Sequence, residues 1–201
     1  MADITKEETT EEEKVIPSLE EVEAELNREK KKNRHGKTLK RIAIALVVVA
    51  AIAVILAVLV TPVLQITGTS MTNTLQDQDI VVALKGSKFE TGDVIAFYYN
   101  NSILVKRVIA TSGDWVDIDE DGTVKVNNIA IDEPYISEKA LGECNIDLPY
   151  QVPDGKVFVM GDHRATSIDS RNTAVGCINT EDILGRLIIR VWPLSGFGSI
   201  K

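Results

Sequence analysis

The chain has 201 residues, with 22 Lys and Arg against 30 Asp and Glu for a formal net charge of −8, 44% hydrophobic and 5% aromatic residues, two Cys and two His. That length allows one ordinary domain plus extensions. The acidic balance argues against nucleic acid as a partner, 13 Gly with 6 Pro argue against a low-complexity chain, and the few Cys and His exclude a zinc-ribbon framework.

The charge is segregated along the chain. Met1 to Asn27 carries ten acids and two bases, Arg28 to Arg41 eight bases and one acid, and the remainder twelve bases and nineteen acids. The first block has too little apolar content for a core and reads as a solvated tail, disordered through Pro17. Ser18 with Glu21 has the form of a capping box, and Leu19, Val22 and Leu26 follow at helical spacing, so a short helix leads into the basic stretch, as a spacer or as a docking element.

From Ile42 to Val60 the sequence IAIALVVVAAIAVILAVLV holds no charged or polar side chain. At about 1.5 Å per residue it spans roughly 28 Å, close to the thickness of a bilayer's hydrocarbon. It lies too far from the N-terminus for a cleavable signal peptide, and the exit TPVLQ offers no small-residue cleavage site. The expectation is a transmembrane helix over residues 42–64, preceded by a cytoplasmic acidic tail and basic juxtamembrane segment, 1–41, and followed by an extracytoplasmic domain, 66–201. Arg28, Lys30, Lys31, Lys32, Arg34, Lys37, Lys40 and Arg41 place the N-terminus in the cytoplasm and the chain in the plasma membrane, with the basic cluster on the lipid head groups.

The distal segment shows short β-rich runs between turn signals: DIVVALKG, GDVIAFYYNN, SILVKRVIA, DWVDIDEDG, TVKVNN, GKVFVMGD and ILGRLIIRVW. Seven to ten strands of a mainly β, antiparallel domain are expected, with hairpin turns at Asn100-Asn101, Asp121-Gly122 and Asn127-Asn128. His163 is the one histidine beyond the apolar run, so general bases are scarce. In SILVKRVIA, Lys106 shares a strand face with Leu104 and Val108, and Arg107 shares the other with Val105 and Ile109. A desolvated lysine can lose its proton where an arginine cannot, so Lys106 is a candidate base; a lysine with its head snorkelled to water fits the same pattern.

Three blocks then carry a resemblance: GTSMTNTL (Gly68 to Leu75), GDVIAFYYNNSILVKRVIATSGD (Gly92 to Asp114) and GDHRATSIDSR (Gly161 to Arg171). They resemble, in order and spacing, the signature blocks of the bacterial type I signal peptidases, over about 125 residues. The single anchor and the ending RVWPLSGFG are most similar to the Gram-positive form. The resemblance implies an antiparallel β catalytic domain of the type shared with the self-cleaving SOS repressors. It implies a serine endopeptidase that removes signal peptides from secreted precursors, cutting after small residues at −1 and −3. Its partners would be those precursors, the lipid bilayer and the protein export machinery, with no cofactor and no metal.

By the same resemblance Ser70 matches the nucleophile, Lys106 the general base, and Ser167 the serine that orients the lysine. Asp169 with Arg171, and Arg107 with Asp162, match ion pairs that support the site. The oxyanion would be held by the backbone amide of Ser70 and a second donor. Many members place a serine where this chain has Gly68, which leaves Thr67 or Thr69 as candidates. Ile66, Leu75 and Val105 match positions lining the substrate pockets. Asn73 replaces a motif proline, which implies a looser loop and lower activity. His163 is read as a polar loop residue rather than a triad member, and Cys144 and Cys177 as either a disulfide or two thiols. The alternatives are a specialised peptidase with few substrates and a catalytically inactive surface scaffold.

Overall fold

The structure, a computed structural model, describes residues 18–200. The acidic tail through Pro17 lies outside them. The chain divides into two compact units between Val54 and Ile55. The first described element is one helix, α1 (Leu19–Val60). Its start is capped as the sequence implies: the Ser18 amide donates to Glu21 Oε2 at 3.1 Å and the Glu21 amide to Ser18 Oγ at 3.3 Å. The short capped helix and the apolar run are therefore one continuous element, about 63 Å long. Its segment Lys37–Ile55, of mean hydropathy 2.3, is long and apolar enough to cross a membrane by length and composition, and none of it is buried in the protein. Arg28, Lys30, Lys37, Lys40 and Arg41 are exposed along it.

The helix stops at Val60, four residues before the expected boundary. Pro62 has no amide hydrogen to continue the helical ladder, and Val63–Gln65 instead form β1, paired antiparallel with β2 (Ile80–Lys85). The remaining strands are β3 (Val94–Tyr99), β4 (Ser102–Thr111), β5 (Trp115–Ile118), β6 (Val124–Val126), β7 (Ile129–Ala130), β8 (Tyr150–Gln151), β9 (Lys156–Met160), β10 (Ile178–Asn179), β11 (Ile183–Trp192) and β12 (Gly198–Ser199). The larger sheet has the order β1-β2-β11-β3-β4-β9-β10, with β12 on β11; the smaller has the order β7-β6-β5-β8. Every pairing in both is antiparallel, and beyond α1 the helical content of the described residues is the single 3-10 turns at Thr180–Asp182 and Leu194–Gly196. The fold is mainly β behind one N-terminal helix.

The turn chemistry follows the sequence. Asn127 and Asn128, both at positive φ, join β6 to β7, the two-residue hairpin signature. Asn100, with φ 53°, opens the β3–β4 hairpin, where Tyr99 faces Ser102. Strand alternation on that hairpin sorts side chains between cores. Val94, Ala96 and Val105 pack with Ile66, Met71, Leu75 and Val81, whereas Ile95, Phe97, Leu104 and Val108 pack with Val157 and Val159. Both cysteines are free thiols.

Leu75, expected in a substrate pocket, belongs to the first of these cores. It is fully buried, its amide donates to the Met71 carbonyl at 2.8 Å, and it anchors the connection between β1 and β2 from beneath. Leu75→Ala should lower unfolding stability by about 2–5 kcal/mol. Thermal unfolding of the full chain in detergent measures this; a loss below about 1 kcal/mol would place the side chain outside the core.

Candidate active site

The β1–β2 connection presents Ser70, and the middle of β4 presents Lys106. Their reactive atoms, Ser70 Oγ and Lys106 Nζ, lie 2.7 Å apart. Lys106 is 4% exposed while Ser70 is half-buried at the cleft wall. Burial pushes the Lys106 ammonium below the ordinary lysine range. The Asp169 and Asp162 carboxylates push it back up, and the Arg171 guanidinium acts in the same direction as burial.

The turn carrying Ser70 is held at several points. The Gly68 amide donates to Asp77 Oδ1 at 2.8 Å, which keeps that carboxyl below the usual carboxylate range. Gly68 sits at φ +93°, a conformation that strains any L side chain, so the backbone here calls for glycine. The Ile66 amide donates to the Asp79 carbonyl at 2.8 Å, and the Asp79 side chain accepts from Arg190 Nη1 at 2.8 Å. The Ser70 carbonyl accepts from the His163 amide at 3.0 Å. Asn73 is exposed at the outer side of the turn.

The contact from the His163 amide docks residues 161–171 onto the Ser70 backbone. The segment takes part in three buried ion pairs, supplying one member of two and both members of the third. Arg107, next to Lys106 on β4, is bidentate on Asp162, Nε to Oδ1 at 2.9 Å and Nη2 to Oδ2 at 2.7 Å. Its Nη1 also donates to the Gly92 carbonyl at 2.6 Å. Arg171 is bidentate on Asp169, Nε to Oδ1 at 2.8 Å and Nη2 to Oδ2 at 2.9 Å, and Asp169 Oδ2 also accepts the Gly161 amide at 2.9 Å. These two pairs join the partners that the sequence matched.

The third pair, Arg164 with Glu133, is one that sequence reasoning missed. Glu133 lies in the irregular stretch between β7 and β8, where no periodicity marks a buried acid. The same stretch brings Tyr135 against Arg107, whose Cζ sits 3.8 Å from the ring centroid, and the Leu141 carbonyl to Arg171 Nη1 at 2.6 Å. Arg164 followed Asp162 in the recognised block; its buried partner left no local signal.

Ser167 departs from its expected role. Its hydroxyl is buried without a hydrogen-bond partner and makes no bond to Lys106. It packs beside Gly161, where an added methyl would overlap both Ser167 Oγ and the Ser70 carbonyl. The hydroxyl is therefore placed by close packing against a glycine, not by a bond to the lysine. The His163 imidazole bonds Thr166 Oγ1 through Nδ1, so its polar contact is within its own loop.

A cleft of about 540 Å³ opens over the pair, lined by residues of β1, the Ser70 turn, and the β3–β4 hairpin. Ile66 and Val105 line it, together with Leu64 and Met71, which the motif match had not included. Leu75 does not line it, because it is sealed in the core below. Of the two candidate threonines, Thr67 lines the cleft and Thr69 does not; Thr69 turns its carbonyl to the Thr72 amide at 3.0 Å. Among the described residues no cluster of His, Cys, Asp and Glu could hold a metal ion.

Comparison with known proteins points the same way as this geometry. The family described as "Signal peptidase, peptidase S26" matches residues 38–192. Signal peptidase I U of Bacillus subtilis is 31% identical over 183 residues, covering 85% of this chain and 94% of that protein. Signal peptidase IB of Staphylococcus aureus (strain COL) is 38% identical over 152 residues, 66% of this chain and 78% of the relative. Thylakoidal processing peptidase 1 of Arabidopsis thaliana is 37% identical over 147 residues, 65% of this chain; the match spans 42% of that plant protein's length, less than half. A signal peptidase I from Enterococcus faecalis V583 aligns with a TM-score of 0.42 at 27% identity, over 50% of this chain and 97% of that structure. With the family match running from the apolar helix to the end of β11, across the residues that line the cleft and the ion-paired segment 161–171, the chain belongs to the signal peptidase family, peptidase S26.

Proposed function

We propose that the chain is a membrane-bound serine endopeptidase that removes signal peptides from secreted precursors, using Ser70 as nucleophile and neutral Lys106 as general base. The observation that carries this is the 2.7 Å approach of a buried lysine amine to a serine hydroxyl at the wall of an apolar cleft. Burial supplies the uncharged amine, and the amine's lone pair takes the Ser70 proton as Oγ attacks the carbonyl carbon of the residue at −1. The tetrahedral oxyanion is held by the Ser70 amide, with Thr67, which lines the cleft, as second donor. Collapse breaks the peptide bond while Lys106 hands its new proton to the leaving amine. Water, deprotonated by Lys106, then hydrolyses the ester and restores the serine.

Substrate positions −1 and −3 pack over the Leu64, Ile66, Met71 and Val105 floor, which is shallow because those side chains are also the lid of the core. Alanine-sized residues fit such a floor. The substrate backbone is extended and lies along the free edge of β1 and the 102–106 half of β4, which β9 leaves unpaired. Helix α1 anchors the enzyme in the plasma membrane, its basic flank inside and residues 66–201 outside. Asp162, Arg107, Asp169 and Arg171 act as support, and Ser167 acts through packing.

Ser70→Ala and Lys106→Met should each abolish cleavage of a precursor with Ala at −1 and −3, measured with full chain in detergent. Labelling of Ser70 by an acylating inhibitor is expected; its absence in the wild-type chain would favour an inactive homologue. Cleavage rate should rise with pH along a limb whose midpoint lies below the ordinary lysine value, since protonated Lys106 is inactive. Stability follows the same sign. The unfolded chain binds the Lys106 proton more tightly than the folded one, so stability rises with pH between the lowered folded value and the ordinary lysine range. Lys106→Met removes that penalty, and its melting temperature should exceed wild type at neutral pH while falling level with it at high pH.

A further inference from the structure

The cleft does not end at the inner pockets. It runs outward along the β3–β4 hairpin to Tyr98 and Ile103, which face each other across the two strands and line its far end. Both are large and apolar, yet 54% and 41% exposed. The neighbouring pair of the same register, Ala96 with Val105, packs into the core that also holds Ile66 and Met71. Residues two apart on a strand share a face, so Tyr98 and Ile103 continue the Val105 floor outward by one repeat. That repeat is about 6.6 Å, the step between alternate side chains of an extended peptide.

This geometry sets a register on the substrate. With −1 and −3 over the inner floor, the next side chain on the same face is −5, and it lies over Tyr98 and Ile103. We propose that these two residues form an outer subsite for a bulky apolar side chain at position −5 of the substrate, a proposal that rests on the peptidase function above. Among the described residues lining the cleft Lys106 is the sole charged one, so a charged −5 residue would lose water over Tyr98 and Ile103 without gaining an ion-pair partner there. Asn100, Asn101 and Ser102 close the far end with polar groups and bound the subsite to one side chain. The chemistry suits a secretory leader, whose apolar stretch lies upstream of its small-residue site.

The test uses the full chain in detergent micelles with internally quenched peptides that share Ala at −1 and −3 and carry Leu, Ser, Asp or Lys at −5. The wild-type chain should cleave the Leu peptide with kcat/KM about tenfold above the Asp peptide, mostly through KM, because this contact is made equally in the ground and transition states. Ile103→Glu should invert the ranking, favouring Lys at −5 over Leu, an outcome that mere loosening of the hairpin would not produce. Equal cleavage of the four peptides by the wild-type chain, or an unchanged ranking in Ile103→Glu, overturns the subsite. Absence of cleavage of all four, or cleavage that survives Ser70→Ala, overturns the peptidase function and the subsite with it.

Discussion

The proposed chemistry depends on keeping one lysine uncharged in a neighbourhood full of charge. Lys106 lies within the field of Asp169, Arg171 and Asp162, which belong to two buried ion pairs. An unpaired carboxylate beside it would hold the proton on, and an unpaired guanidinium would be too costly to bury. Pairing eases both, because each carboxylate is bound by a guanidinium and Arg171 opposes the pull of its partner Asp169 on the amine. Burial is then the largest influence left, and it acts toward the neutral form. Each ion pair is bidentate, so charge cancellation also fixes position.

Cancellation of this kind demands that residues 161–171 lie in one place, and the irregular stretch between β7 and β8 enforces it. Glu133 takes Arg164, Tyr135 covers Arg107, the Leu141 carbonyl takes Arg171, and the Asn145 amide donates to the Arg171 carbonyl at 3.0 Å. Buried pairs add little net stability over apolar packing, whereas removal of one partner costs about 3–5 kcal/mol. Their contribution here is therefore geometric: any displacement of the loop exposes an unpaired buried charge, so the loop has a single low-energy position. The same displacement would move the His163 amide off the Ser70 carbonyl, which couples charge pairing to placement of the nucleophile.

What the sequence made legible follows from range. Period-two alternation is local, so β2, β3, β4, β5, β6, β9 and β11 were readable, as were the asparagine turns. The other strands, β1, β7, β8, β10 and β12, have two or three residues each, too few to show a period, and exist through their partners. Ser70, Lys106 and the two ion pairs on the recognised blocks were readable because each lies in a short dense motif. Glu133 and Tyr135 were not, since nothing within their own stretch distinguishes a buried partner from a solvated residue. Leu75 and Ser167 show a different limit: a motif match carries no contacts, and packing decided theirs. Leu75 dropped into the core, and Ser167 was turned toward Gly161.

Asn73 in place of the motif proline bears on how stiff the Ser70 turn is. Proline at a compatible position contributes about 0.4–1 kcal/mol, chiefly by restricting the unfolded chain. The turn here is fastened by larger means. Burial of Leu75 alone stabilises by about 1.5–3 kcal/mol. Thr74 bridges to Asp162 and accepts from Arg107 Nη2 at 3.1 Å, and Arg190 reaches the Thr74 carbonyl at 3.2 Å. Asn73 is thus flanked by a residue tied into the central ion pair and, one position further, by a fully buried anchor. With the turn held from below by Leu75, from the side by Asp162 and Arg190, and at Ser70 itself by Lys106 and the His163 amide, the ring of a proline would add the smallest of these constraints. Reduced rigidity at Asn73 is confined to an exposed residue, and the nucleophile's geometry is set by contacts on which proline does not act.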